Sequence, residues 1–332
     1  MSWDDILGHD IAKRLLQTHL TAGTVASAYL LHGPEGIGKR RLALETAKTL
    51  NCLACLPRGG AGMADASRPC DACAVCGQIN RLTHPDVHLV MPGGASDQIK
   101  IEDSRSLIGR IALRPFSARF QVAILDGADR LTEEAANSLL KALEEPSPHT
   151  RFLLLATHLS HCLPTIVSRC QLIRCHPLPR EAVQRIVMQA HTGDSRVAEA
   201  VARVCGGSAS AAIGLAGRWA EYERLLECFA DAAPTAWLTQ PLPDTRESVT
   251  HLLDGMMGWL RDVAVAATGD PEWMRHALRS DDVRRQAATV DLDRCLSTAL
   301  ALVELRESVE QFVSPRLVAA LAREQWLSLT TV

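Results

Sequence analysis

Two groups of residues in this sequence have types and spacings that could do chemistry. The first, Gly33-Pro34-Glu35-Gly36-Ile37-Gly38-Lys39-Arg40, follows the phosphate-loop pattern G-x-x-x-x-G-K-[ST] up to its last position. In such a loop the backbone N–H groups and the lysine cradle phosphates, while the terminal hydroxyl holds Mg²⁺. Arg40 brings a guanidinium in place of that hydroxyl. Gly33, Gly36, Gly38, Lys39 and Arg40 are therefore expected to cradle phosphate better than they support its hydrolysis, with ATP or ADP bound weakly at best. Further on, Ile124-Leu125-Asp126-Gly127 ends an apolar run in a carboxylate, where a Walker B aspartate would orient Mg²⁺. Gly127 has no side chain to polarise an attacking water, and the plainer reading of Asp126 is a residue that simply terminates its strand. The second group is Cys70-x2-Cys73-x2-Cys76, three thiolates in one tight loop, with Cys52 or Cys55 upstream able to complete a tetrahedron. A closed four-sulfur set suits structural zinc, whereas redox chemistry needs only one Cys-x-x-Cys pair at a helix start. The other cysteines, Cys162, Cys170, Cys175, Cys205, Cys228 and Cys295, are scattered singly and read as small core hydrophobes.

The elements that must position these groups are legible as a change of pattern along the chain. Apolar runs at Ala28–His32, Val87–Met91, Val122–Leu125, Phe152–Ala156 and Leu172–Cys175 alternate with helical patterns, which predicts a parallel sheet with crossover helices. The run Arg41–Leu50 reads as a helix whose N-terminus faces the phosphate loop. Glu133–Glu145 reads as another, with Ala136, Leu139, Leu140 and Leu143 on one face and Pro146 as its stop. Beyond Pro177 and Pro179 strand signals vanish. A small helical domain that closes with Gly206-Gly207-Ser208 follows, then helices with loops near Pro234–Pro243. Trp219, Trp237, Trp259, Trp273 and Trp326 lie in this half, where helical core packing accounts for them.

With 332 residues, 47% of them hydrophobic, the chain is long enough for two or three domains. No apolar stretch approaches the roughly 20 residues of a membrane span, and Met1-Ser2-Trp3-Asp4-Asp5 has no basic-then-apolar leader pattern, so the expectation is a cytoplasmic protein. Eleven cysteines, an odd number with five crowded between Cys52 and Cys76, fit a metal site in a reducing compartment rather than a disulfide framework. A net charge of −3 argues against nucleic-acid binding over the whole surface and leaves room for a local basic patch within an assembly.

Three further segments carry a family resemblance: Asn137-Ser138-Leu139-Leu140-Lys141-Ala142-Leu143-Glu144-Glu145-Pro146, Phe152-Leu153-Leu154-Leu155-Ala156-Thr157, and Pro164-Thr165-Ile166-Val167-Ser168-Arg169-Cys170. With the phosphate loop and the cysteines that follow its helix, they resemble the clamp-loader branch of the AAA+ ATPases, and within it the bacterial DNA polymerase III subunits. The resemblance is strong over roughly residues 1–180, including His84-Pro85-Asp86 after the cysteines, and weak past 220. It implies a RecA-like AAA+ domain at 1–178 with an inserted zinc module at about 52–80, a helical lid at 179–218, and an all-helical collar at 219–332. It also implies Cys52, with Cys70, Cys73 and Cys76, as the zinc ligands. Ser210 stands where motor subunits carry a sensor arginine. Arg40, Gly127 and Ser210 are thus three departures from the ATPase pattern. Ser168-Arg169-Cys170 is intact, and in this family that arginine reaches a neighbour's ATP as an arginine finger; an isolated surface ion pair is the plainer alternative.

The expectation is a non-hydrolysing clamp-loader subunit. Its implied partners are motor subunits of the tau/gamma type and a delta subunit in a hetero-oligomeric ring, the sliding clamp and primed DNA, in a nucleoid-associated replisome. Two competitors make different demands. An active ATPase motor needs a Ser or Thr at position 40 and a Glu at 127. A zinc-containing adaptor acting through residues 50–80 alone leaves Ser168-Arg169-Cys170 without a purpose.

Overall fold

The computed structural model describes residues 2–55, 68–94, 96–191, 194–230, 237, 240–269, 271–309 and 313–330. The chain forms two compact units, Met1–Ala182 with Gly207–Ser210, and Val183–Gly206 with Ala211–Val332.

The first unit is built on an all-parallel sheet of β1 (Ala28–His32), β2 (Val87–Val90), β3 (Gln121–Asp126), β4 (Thr150–Ala156) and β5 (Gln171–Arg174) in the order β2-β3-β4-β1-β5. The apolar runs became strands because both faces of the sheet are covered, so central strands need apolar side chains on both sides. Alternation sorts them. Tyr29, Leu31, Val122, Ile124, Leu153 and Leu155 enter one layer with Leu16 of α1 (Asp10–Ala22) and Leu42 and Ala47 of α2 (Lys39–Asn51). Leu30, Ala123, Leu125, Phe152 and Leu154 enter the other, with Leu107 of the later helix Ile101–Ile111 and Leu139 and Leu143 of Glu133–Glu144. Each such buried side chain contributes about 1.5–3 kcal/mol. Only Ile173 of edge strand β5 is buried. The remaining helices of this unit are α3 (Ala74–Asn80), α4 (Ile101–Ile111), α5 (Glu133–Glu144) and the single turn α6 (Pro164–Val167). Thr132 caps α5 by accepting from the Ala135 N–H at 3.2 Å, and Glu133 and Glu134 suit its positive end. The predicted parallel sheet with crossover helices is present.

The second unit is helical. It comprises α7 (Arg180–Ala190) from Val183 onward, α8 (Ser195–Val204), α9 (Ala209–Gly217) from Ala211, α10 (Trp219–Ala230), α11 (Arg246–Thr268), α12 (Ser280–Ala287), α13 (Leu292–Ser308) and α14 (Pro315–Thr330). The 23-residue α11 is its centre. Val249, Leu252, Leu253, Met256, Trp259, Leu260 and Val263 bury one face of it, Thr245 caps its start and left-handed Gly269 ends it. Phe229 touches Trp326, Trp237 and Trp259 at ring-centroid distances of 4.8, 5.5 and 5.9 Å. Trp273 does not join this core: it lies in a one-turn surface segment, Pro271–Trp273, and is 67% exposed. The same unit holds a buried polar chain, in which the Asp262 carboxylate accepts from His276 Nδ1 at 2.8 Å and the Tyr222 hydroxyl meets His276 Nε2 at 2.8 Å. Part of the expected loop at Pro234–Pro243 lies outside the described residues. Among the described residues no helix is long and apolar enough to cross a membrane.

Candidate functional site: phosphate loop, arginine and cysteine cluster

The phosphate loop joins β1 to α2. Gly36 must be glycine: its φ is +74°, and a Cβ there would lie 1.9 Å from Ser210 Oγ and 2.3 Å from Ser208 Oγ. Its carbonyl accepts from the N–H groups of Ala209 at 2.9 Å and Ser210 at 3.2 Å. Ser210 therefore packs on the loop. Gly33 donates its N–H to the Ala156 carbonyl at 3.1 Å, and Gly38, with left-handed backbone, starts α2. Lys39 is 7% exposed, and its ammonium donates to the Gly33 and Pro34 carbonyls, each at 2.7 Å. Burial lowers its pKa, an effect that the acids Asp126, Asp129 and Glu35 partly offset. His9 Nε2 lies 2.7 Å from the Ile37 carbonyl and donates to it.

Arg40 turns toward the end of β3 and donates from Nε to the Asp126 carboxylate. The carboxylate that ends β3 is thus paired with the guanidinium of the last loop residue. Gly127 follows at φ +117°, where a Cβ would lie 2.6 Å from Pro92 Cγ. Asp129, unnoticed in the sequence, is almost fully buried and accepts from the Thr157 and His158 N–H groups at 2.9 and 2.8 Å, fixing the turn after β4.

Arg169 sits in the turn after α6. Its guanidinium donates to the Thr165 carbonyl at 2.8 Å and to Ser168 Oγ at 3.3 Å, and pairs with Glu144 at the end of α5. One third of the side chain stays exposed. The pairing partner was not legible because Glu144 lies 25 positions away.

The sulfurs of Cys52, Cys70, Cys73 and Cys76 all lie within 4.8 Å of one another, a donor set able to hold a metal ion. Cys52 is the residue at which α2 stops, and Cys73 caps α3, which carries Cys76. Cys55 is outside the set; its thiol donates to the Arg68 carbonyl at 3.1 Å. N–H groups point at the sulfurs, from Cys70 to Cys52 and from Cys73 to Cys70 at 3.3 Å each. Burial opposes ionisation of Cys52, but the N–H groups of Cys70 and Ala54 outweigh it and bring its pKa to about 6, toward the thiolate a metal needs. A second tie joins the cysteine loop to α2: buried Lys48 pairs with Glu45 at 2.7 Å and with Asp71, whose backbone is left-handed. His84-Pro85-Asp86 turns out to be structural. The Asp86 carboxylate accepts from the consecutive N–H groups of Phe116, Ser117 and Ala118 at 2.7, 2.8 and 2.8 Å.

Comparison with known proteins follows the same lines. The profile of the family described as DNA polymerase III, delta subunit, matches residues 8–179. DNA polymerase III subunit delta' of Pseudomonas aeruginosa is 34% identical over 254 residues, covering 73% of this chain and 72% of that protein. DNA polymerase III subunit delta' of Bacillus subtilis is 36% identical over 177 residues, 53% of this chain and 50% of that protein. DNA polymerase III subunit tau of Escherichia coli is 30% identical over 216 residues, 64% of this chain and 32% of that protein. The matched segment thus spans half or less of the last two relatives' length.

Proposed function

The chain belongs to the DNA polymerase III delta-subunit family, and on that premise we propose that it is a non-hydrolysing subunit of the polymerase III clamp loader, of the delta-prime kind. It works in a ring with tau/gamma-type motor subunits and a delta subunit, in the cytoplasm, where ATP-driven opening places the sliding clamp on primed DNA. Its own phosphate loop supplies no turnover, and Arg169 is the arginine finger that completes the ATP site of the neighbour. Cys52, Cys70, Cys73 and Cys76 hold a structural zinc ion, for which four sulfurs within 4.8 Å are the support.

One observation carries this reading. The groups that would hold metal, polarise water and contact the γ-phosphate in cis are replaced by Arg40, Gly127 and Ser210, while the one group that serves another subunit, Arg169, is retained on a partly exposed turn. Its exposure and its pairing with one carboxylate among the described residues leave it within reach of a phosphate, because an exposed ion pair of this kind is worth about 0–1 kcal/mol.

The test is Arg169→Ala in the reconstituted complex. The variant is expected to fold, keep its zinc and assemble. ATP turnover at the site it serves should fall by about 10³–10⁵, so total hydrolysis falls partially while clamp loading falls more. Arg169→Lys should rescue poorly, since a point charge cannot reproduce the planar fork. A complex with Arg169→Ala that loads clamps and turns over ATP at the wild-type rate refutes the finger role.

A further inference from the structure

The family implies a nucleotide with Mg²⁺ at the phosphate loop, and the residues present fit only half of that pair. The cradle for phosphate is complete: Gly36 and Gly38 have left-handed backbone, α2 presents its N-terminus, and Lys39 is buried at the loop with its ammonium on the Gly33 and Pro34 carbonyls. The metal side is not. Mg²⁺ takes oxygen ligands in a near-octahedral set and binds through a carboxylate and a hydroxyl beside the phosphates. Here the hydroxyl position is Arg40, the carboxylate of Asp126 is already paired with that arginine, and Gly127 adds no side-chain oxygen. The guanidinium also places a fixed positive charge where a dication would have to sit, which Coulomb repulsion disfavours.

We infer that this phosphate loop is a metal-independent polyphosphate site, in which the Arg40 guanidinium replaces Mg²⁺ both as the counterion of Asp126 and as the charge beside the terminal phosphates. The inference rests on the reading of the site as non-hydrolysing and adds its ligand preference: free nucleoside di- or triphosphate over the Mg²⁺ complex. Arginine suits the role, because its planar fork can hold the carboxylate and still offer N–H groups to phosphate oxygens.

The experiment is equilibrium binding of ATP and ADP to the full chain, once with excess Mg²⁺ and once with excess EDTA, for wild type, Arg40→Thr and Lys39→Ala. The wild-type affinity is expected to be unchanged or weaker with Mg²⁺. Arg40→Thr, which restores the hydroxyl and frees Asp126, should bind tighter with Mg²⁺ by about tenfold, or about 1.4 kcal/mol. Lys39→Ala should lose binding in both conditions, locating the signal at the loop. Mg²⁺ tightening the wild type as much as Arg40→Thr overturns the inference, and so does an Arg40→Thr variant that stays indifferent to the metal. A wild-type chain that binds nucleotide in neither condition overturns it as well, while leaving the absence of hydrolysis untouched. Phosphate release measured in parallel bears on that separate reading: turnover by the wild type would sink the non-hydrolysing assignment.

Discussion

Restoring the missing glutamate should not restore an ATPase, because the backbone at position 127 is shaped for glycine. In Gly127→Glu the new side chain begins at a φ of +117°, in a region that costs a non-glycine residue about 1–3 kcal/mol. Its Cβ would also lie 2.6 Å from Pro92 Cγ and 3.0 Å from Pro92 Cδ, and overpacking of this kind costs about 1–3 kcal/mol more. The residue cannot simply turn away. Its N–H donates to the Leu155 carbonyl at 3.0 Å and its carbonyl accepts from the Arg130 N–H at 2.9 Å, which pins it between β4 and the following turn. The sum, about 2–6 kcal/mol, is a large share of the 5–15 kcal/mol that holds a typical domain. Urea unfolding should therefore show a lower midpoint for Gly127→Glu, and Gly127→Ala should lose most of the same amount, since the Cβ alone meets Pro92. Pro92→Ala in the Gly127→Glu background should recover the contact part and leave the backbone part. Both single variants falling within about 0.5 kcal/mol of wild type, the range of an ordinary surface change, would refute the reasoning.

Two other predictions test the cysteine cluster and the loop clamp. Metal analysis should find one zinc per wild-type chain, near-complete loss in Cys52→Ser, and retention in Cys55→Ser; loss only in Cys55→Ser would mean the ligand set is wrong. Asp86 is pressed by burial toward a higher pKa, but the N–H groups of Phe116, Ser117 and Ala118 outweigh this and hold it below the ordinary carboxylate value. A depressed folded-state pKa gives stability that is present above the unfolded value of about 4 and lost as pH falls through the folded one. Asp86→Asn should accordingly cost about 1–3 kcal/mol at pH 7, by the worth of hydrogen bonds to a charged group, and the gap to wild type should close on acidification. A pH-independent gap in chemical denaturation would falsify the assignment of that stability to the ionised carboxylate.

How much of this was legible in the sequence depends on distance along the chain. The central strands β1, β3 and β4 could be read because a parallel sheet covered on both faces demands apolar runs there, and Leu30 and Leu31 serve opposite layers from adjacent positions. Cys70, Cys73 and Cys76 could be read because three ligands fall within one loop. Residues alone left Cys52 and Cys55 open, and only the fold shows Cys55 turned to the Arg68 carbonyl. Trp273 was misread as core because a helical segment and a surface turn share the same local composition. The pairings Arg40–Asp126, Arg169–Glu144 and Lys48–Asp71 span 86, 25 and 23 positions, and no periodicity encodes them.

Those long pairings change the meaning of the residues that replace an ATPase's groups. In sequence, Arg40, Gly127 and Ser210 look like three independent losses, each reversible by one substitution. In the fold each position has acquired a partner: Arg40 holds Asp126, Gly127 has Pro92 where a Cβ would go, and Ser210 packs against Gly36, donating its N–H to the Gly36 carbonyl. A reversion at any one of them must first undo a contact, so the cost of recovering hydrolysis is spread over positions that interact with different neighbours. Sites that share no partner add their costs nearly independently. On the proposed reading, the chain is thus held away from its ancestral chemistry by packing and pairing as well as by the missing groups. On the same reading Arg169, paired among the described residues with the partly exposed Glu144, has only a weak surface ion pair to give up when it turns to a neighbour.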